Sequence, residues 1–225
     1  MVGDTEQLPP FDRDGGKKNP GGRDVHLPSI LSVSNSSRVV NLKVQYRIPR
    51  PLAHILNQHV YHGGYKTAPR CGVTPVPFIF KQISEARDYA NINEQEVEAA
   101  GEILRMLSNR GMDASQILIL TPYKKQQKAL QAMARRLEFC DTTKLRILSI
   151  DQAQGNEADV VILSFVRKPT RFLTTNRLCV AISRQKSKLF LLGDLNVLRT
   201  VGKKWPEEKM IHRLVELADS SMATG

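Results

Sequence analysis

Residues 145–166 read LRILSIDQAQGNEADVVILSFV, two apolar runs enclosing the polar stretch DQAQGNEA. Runs this short, rich in Ile, Leu and Val without alternation, are what a strand buried on both faces of a parallel sheet requires. The same signature recurs at 117–120 (ILIL) and 189–194 (LFLLGD). Between these runs the spacing becomes helical. Asn93 and Glu96 resemble an N-cap and its capping-box partner, Val97, Ala100, Ile103, Leu104 and Leu107 form one apolar face, and Gly111 closes the helix. Helices are also predicted over 123–137, around 176–183 and over 205–218, the last with Pro206 in its first turn and Met210, Ile211, Leu214 and Leu217 facing inward. This alternation predicts an α/β fold, a parallel sheet with helices on both faces. Functional residues of such a sheet are expected on loops at the carboxyl ends of its strands.

Upstream, the Gly-, Pro- and charge-rich stretch at about 12–24 reads as a mobile loop. Residues 39–45 look extended, and Leu52, Ile55, Leu56, His59 and Val60 then keep helical spacing until Gly63 and Gly64. A linker with three prolines at 69–77 puts the expected boundary near residue 75, dividing the chain into 1–75 and 76–225. The formal charge of +11 favours an anionic partner such as nucleic acid. No apolar run approaches the ~18 residues of a membrane span, and the N-terminus lacks a signal-peptide pattern. Cys71, Cys140 and Cys179 are odd in number and lack metal-ligand spacing, so reduced thiols in the cytoplasm or nucleus are expected, with no zinc site.

Four polar segments carry candidate chemistry. In the first, 3–10 (GDTEQLPP), the Gln7 amide can both donate to and accept from a phosphate or an ordered water. In the second, Tyr46 offers a stacking face and Arg47 a fork for phosphate oxygens. In the third, 149–157 (SIDQAQGNE), Gly155 lets the backbone approach a ligand, and Gln154 and Glu157 suit ribose hydroxyls and water. In the fourth, 176–184 (NRLCVAISR), Arg177 and Arg184 lie seven apart, which would put them on one helix face. Taken singly, a polar turn, an exposed strand end or a solvated helix end accounts for the first, second and fourth.

In their order along the chain the segments resemble superfamily 1 helicases of the nonsense-mediated-decay helicase group. VGDTEQLPP is similar to motif III of that family, QYRIPRPL to its QYRM-x-P segment and LTPYKKQ to motif IV. SIDQAQGNE with VVILSFVR is similar to motif V, and NRLCVAISRQKSKLFLLGD to motif VI. The resemblance runs from Gly3 to Asp194 and implies a motor of two RecA-like domains. Residues 76–225 would be the second of these, and 1–75 a partial remnant of the first.

It also implies roles. Gln7 would face the γ-phosphate of ATP, Tyr46 would stack on the base, and Arg47 and Arg184 would complete the phosphate site. Gly155 and Glu157 would approach the nucleotide. Thr121, Pro122, Tyr123 and Ser149 would meet a single strand of RNA or DNA, bound weakly and in a salt-sensitive way. Lys124, Lys125, Arg135 and Arg136 are further candidates, although charges on a helix are most often simply solvated. The chain departs from the pattern at Ile48, which Pro49 follows directly, and at Gln185 after Arg184. It contains no G-x-x-x-x-G-K-[ST] phosphate loop and no acidic motif II, so the Mg²⁺ ligands are expected on the missing first RecA-like domain of a longer parent protein. The chain alone is therefore expected not to hydrolyse ATP. The alternative is a non-catalytic nucleic-acid or ribonucleoprotein adaptor. Neither reading involves a membrane.

Overall fold

The computed structural model describes residues 4, 6–8, 42–69, 78–84, 91–138, 141–170 and 172–223. The loop expected at 12–24, most of the proline linker, Cys71 and Cys140 lie outside them. Five strands, β3 (Phe78–Gln82), β4 (Ile117–Thr121), β5 (Arg146–Ser149), β6 (Ala158–Ser164) and β7 (Gln185–Gly193), form one sheet in the order β3-β7-β6-β4-β5. All its pairings are parallel. Two short strands, β1 (Val44–Gln45) and β2 (Lys66–Thr67), pair parallel in a separate sheet.

The unalternated apolar runs are explained by burial on both faces. Leu118 and Leu120 of β4 face one apolar layer with Val161, Leu163, Leu189 and Leu191, while Ile117 and Ile119 face the other with Val160, Ile162, Phe190 and Leu192. The second layer is closed by α2 (Glu94–Asn109) and α3 (Lys124–Ala134). The first is closed by α4 (Thr175–Ala181), α5 (Leu195–Arg199), α6 (Pro206–Ala223) and also α1 (Arg50–His59). This is the RecA-like architecture expected, a parallel sheet covered on both faces. The buried residues of α1, among them Leu52, Ile55 and Leu56, belong to the same apolar layer as the five-stranded sheet, and α1 packs on α6. The packing thus continues across the boundary expected near residue 75.

The capping box expected at α2 is only half formed. Asn93 Oδ1 accepts from the Glu96 backbone N–H (3.2 Å), but the Asn93 N–H donates to Gln126 Oε1 (2.8 Å) rather than to Glu96. The Glu96 carboxylate instead accepts from the Val166 N–H (2.9 Å) and from the Ser164 hydroxyl. Val166 has φ 72°, a costly conformation for a β-branched residue, and Glu96 and Asn93 hold it there from both sides of its backbone.

Glu96 is 1% exposed, and loss of hydration raises its pKa to about 7 from an ordinary 4.5, against the opposing pull of the Ser164 and Val166 hydrogen bonds. The folded state therefore keeps a proton that the unfolded chain releases near pH 4.5, so this contribution to stability is lost as pH rises through about 7. Urea unfolding at pH 5.5 and 8 is expected to show a Glu96-linked decline of about 2 kcal/mol. Glu96→Gln should flatten it, and equal slopes for the two proteins would refute the assignment.

Candidate functional site

The predicted residues fall at two opposite ends of the sheet, not at one. Glu157 stands immediately before β6 and Arg184 immediately before β7, so the site they build is at the amino ends of these strands. The carboxyl-end placement expected for this group is corrected by that register: the Ala158 N–H donates to the Arg184 carbonyl (3.0 Å) where the two strands begin. Residues 150–157 cross back along the sheet to reach this point, because parallel strands always require such a return.

Arg47 reaches the amino-end group through a turn built by its neighbour. Gln45 Oε1 accepts from the N–H groups of Arg47 (2.9 Å) and Ile48 (2.8 Å), and Gln45 Nε2 donates to the Ile48 carbonyl (2.8 Å). The chain thereby reverses from β1 into α1, with Pro49 as its cap. The Arg47 guanidinium then lies 3.3 Å from Glu157 Oε2 and donates to the Ser183 carbonyl (3.3 Å), and Tyr46 is 58% exposed. Gln45 belongs to the quoted QYRIPRPL segment but was given no role there, since a glutamine that folds its own turn has no spacing to mark it.

Arg184 is 3% exposed, and its donors are occupied by the Ser183 hydroxyl (2.7 Å), the Val180 carbonyl (3.1 Å) and Gln7 Oε1 (3.2 Å). Burial and the nearby Arg47 charge both bias it against its charged form. Gln7 in turn donates to Asp4 Oδ2 (2.8 Å), which also accepts from the Tyr61 hydroxyl (2.6 Å). Asn176 donates to the carbonyls of Glu6 and Gln7, and Gln154 to that of Leu8, so residues 6–8 are tied to the sheet. Glu157 pairs with Lys186 (2.7 Å) as well as Arg47, and these cations hold its pKa below the usual carboxylate range.

Gln7, Arg47, Glu157 and Arg184 are thus gathered at one place. Gly155 lies two residues from Glu157 with φ +81°, and open space surrounds the position of a Cβ. Its glycine is required by the backbone angle and not, in this structure, by a close approach. Gln185, fully buried beside Arg184, donates to the Ile182 carbonyl (2.8 Å) and leaves its Oε1 without a partner.

At the carboxyl ends, Thr121 and Ser149 are register partners of β4 and β5. Both are buried, as is Pro122, while Tyr123 is half-buried. Ser149 is engaged by Gln152 through its N–H (3.0 Å) and its hydroxyl (3.1 Å). Arg177 belongs to this edge. The shared helix face expected for Arg177 and Arg184 does not form, because α4 ends at Ala181 and Arg184 lies beyond it. Arg177 binds Asp151 (2.7 and 3.2 Å) at one end of α4, and Arg184 meets Gln7 at the other. Cys179, between them, is buried with its thiol pushed up to about 11 by loss of hydration, a structural rather than a reactive cysteine.

Two arginines, a glutamine and a carboxylate thus converge at the amino-end edge of the parallel sheet. No group of three His, Cys, Asp or Glu able to hold a metal ion occurs among the described residues. The chain belongs to the AAA domain family, which matches residues 27–196. It is 28% identical over 236 residues to the DNA replication ATP-dependent helicase/nuclease JHS1 of Arabidopsis thaliana, covering 89% of this chain and 17% of that protein. It is 32% identical over 179 residues to the probable helicase senataxin of Homo sapiens, covering 71% and 7%. The C-terminal domain of a possible DNA helicase from Lactobacillus plantarum aligns with a TM-score of 0.46 at 16% identity, over 76% of this chain and 94% of that one. The chain spans 17%, 22% and 35% of the length of the first three relatives it matches.

If the left-handed angle alone demands Gly155, replacement by Ala should cost about 1 kcal/mol and replacement by Asn distinctly less. Urea denaturation of both variants tests this. Equal, large losses would point to a steric requirement instead.

Proposed function

We propose that the chain is the second motor domain of an ATP-dependent, superfamily 1 helicase of the nonsense-mediated-decay type. In this reading it supplies Arg47 and Arg184 to an ATP whose phosphates another domain cradles, and it grips single-stranded RNA or DNA at the opposite edge. The observation that carries the proposal is the convergence of Arg47, Arg184, Gln7 and Glu157 at the amino ends of β6 and β7. The membership of the AAA domain family and the ATP-dependent helicases among the relatives point the same way.

The chemistry follows from charge. As a γ-phosphoryl group is transferred, negative charge spreads over its oxygens, and guanidinium forks held in advance stabilise it without reorganising at that moment. Arg184 is already stripped of water and ringed by fixed acceptors, so phosphate oxygens would take over from Gln7 Oε1. Arg47 is paired with Glu157, a contact that a phosphate can compete for at the surface. Gln7, once released by Arg184, has an amide oxygen available to an attacking water. Tyr46, beside Arg47, offers its exposed ring to the base. Magnesium belongs to the partner domain in this reading, as does the phosphate loop that the chain lacks.

Titration of a fluorescent ATP analogue should give weak, saturable binding without hydrolysis. Arg47→Ala and Arg184→Ala should each weaken it about tenfold, the value of one charge-assisted hydrogen bond to phosphate. Steady ATP turnover by the pure chain would overturn the half-site reading, and binding unchanged in both variants would remove the arginines from it.

A further inference from the structure

At the carboxyl edge, two adjacent aromatic rings are flanked by two arginines, and of these four only Tyr123 was among the residues expected at the strand. Phe172 is 41% exposed. The Arg177 guanidinium carbon sits 4.0 Å from the centre of its ring. Arg177 cannot drift from there, because Nε and Nη2 bind Asp151 and Nη1 donates to the Phe172 carbonyl (2.9 Å). The ring of Tyr123 lies beside Phe172, nearly parallel at 21° with centroids 6.2 Å apart. Arg167 completes the row, 5.0 Å over the Tyr123 ring and donating from Nε to its hydroxyl (3.2 Å). The next residues of the chain after Tyr123 are the exposed Lys124 and Lys125 at the start of α3.

We propose that the exposed ring of Phe172, backed by Arg177 and lying beside Tyr123, is a stacking platform for an unpaired nucleobase of a single strand. The proposal rests on the nucleic-acid reading above and adds to it a residue and a mode of contact. Single strands without sequence preference are held by flat aromatic faces for bases and by cations for phosphates. The row has that composition. Its rings are fixed in advance by Arg177 and Arg167, so little side-chain freedom is lost when a base arrives. Asp151 neutralises Arg177, which leaves that guanidinium to act as a planar support for the ring, while Lys124 and Lys125 remain exposed beside the row for phosphate oxygens. Phe172 contributes area, not charge, and so should govern affinity without altering the number of phosphates neutralised.

The experiment is fluorescence anisotropy of labelled oligo-dT and oligo-U of about twelve nucleotides, titrated with the whole chain at several salt concentrations. Phe172→Ala and Phe172→Leu should each weaken binding roughly tenfold while leaving the slope of log affinity against log salt unchanged, and Phe172→Trp should restore it. Leu keeps an apolar side chain over Arg177 without a flat face, so it separates stacking from packing. A matching oligonucleotide with abasic positions should bind the unmutated chain and Phe172→Leu equally. Full affinity in Phe172→Leu would overturn the platform while leaving nucleic-acid binding intact. No binding by the unmutated chain even at low salt would overturn the nucleic-acid reading, and the platform with it.

Discussion

A guanidinium that is 3% exposed has lost nearly all its water, and the protein must replace that hydration group by group or leave a charge stranded. Arg184 obliges the structure around it. Ser183 and Val180 take its donors from within its own turn, and Gln7 takes one from a segment far away in sequence. Gln7 is fixed in turn by Asp4, and Asp4 by Tyr61 at the end of α1. Those contacts seat α1 and residues 6–8 on the five-stranded sheet. Of these partners only Gln7 is distant in sequence from residues 180–184.

The two edges of the sheet are joined by α4, whose seven residues cover about 10 Å at 1.5 Å each. Its N-cap, Thr174, and Arg177 stand beside Phe172 and Asp151, while just past its other end Ser183 and Arg184 stand beside Gln7 and Arg47. Leu178, Cys179, Val180 and Ala181 are all fully buried, so this helix has no freedom to slide independently of the layer it sits in.

Much of this was legible in the sequence, for identifiable reasons. The four apolar runs could be read because burial on both faces removes alternation, and the helices because one-sided burial imposes it. Glu157, Arg47 and Arg184 could be picked out by type and order, but not the end of the sheet they occupy, since a polar loop between two strands looks the same whether its residues stay at one end or return along the sheet. The Arg177–Arg184 spacing misled for a related reason. Helical spacing predicts a shared face only while the helix continues, and α4 stops three residues before Arg184.

What stayed illegible concerns polar partners. Asn93 and Glu96 have the right spacing for a reciprocal cap, yet Glu96 turned toward Val166 because a β-branched residue at φ 72° needed holding and Gln126 was available to satisfy the cap. That substitution has a consequence at the carboxyl edge. Val166 directly precedes Arg167, so the carboxylate that fixes its backbone also fixes where Arg167 leaves the sheet to cover Tyr123. A buried acid in the second apolar layer thus sets the position of a cation at the surface, and it does so through one backbone N–H rather than through any contact with the surface residue itself.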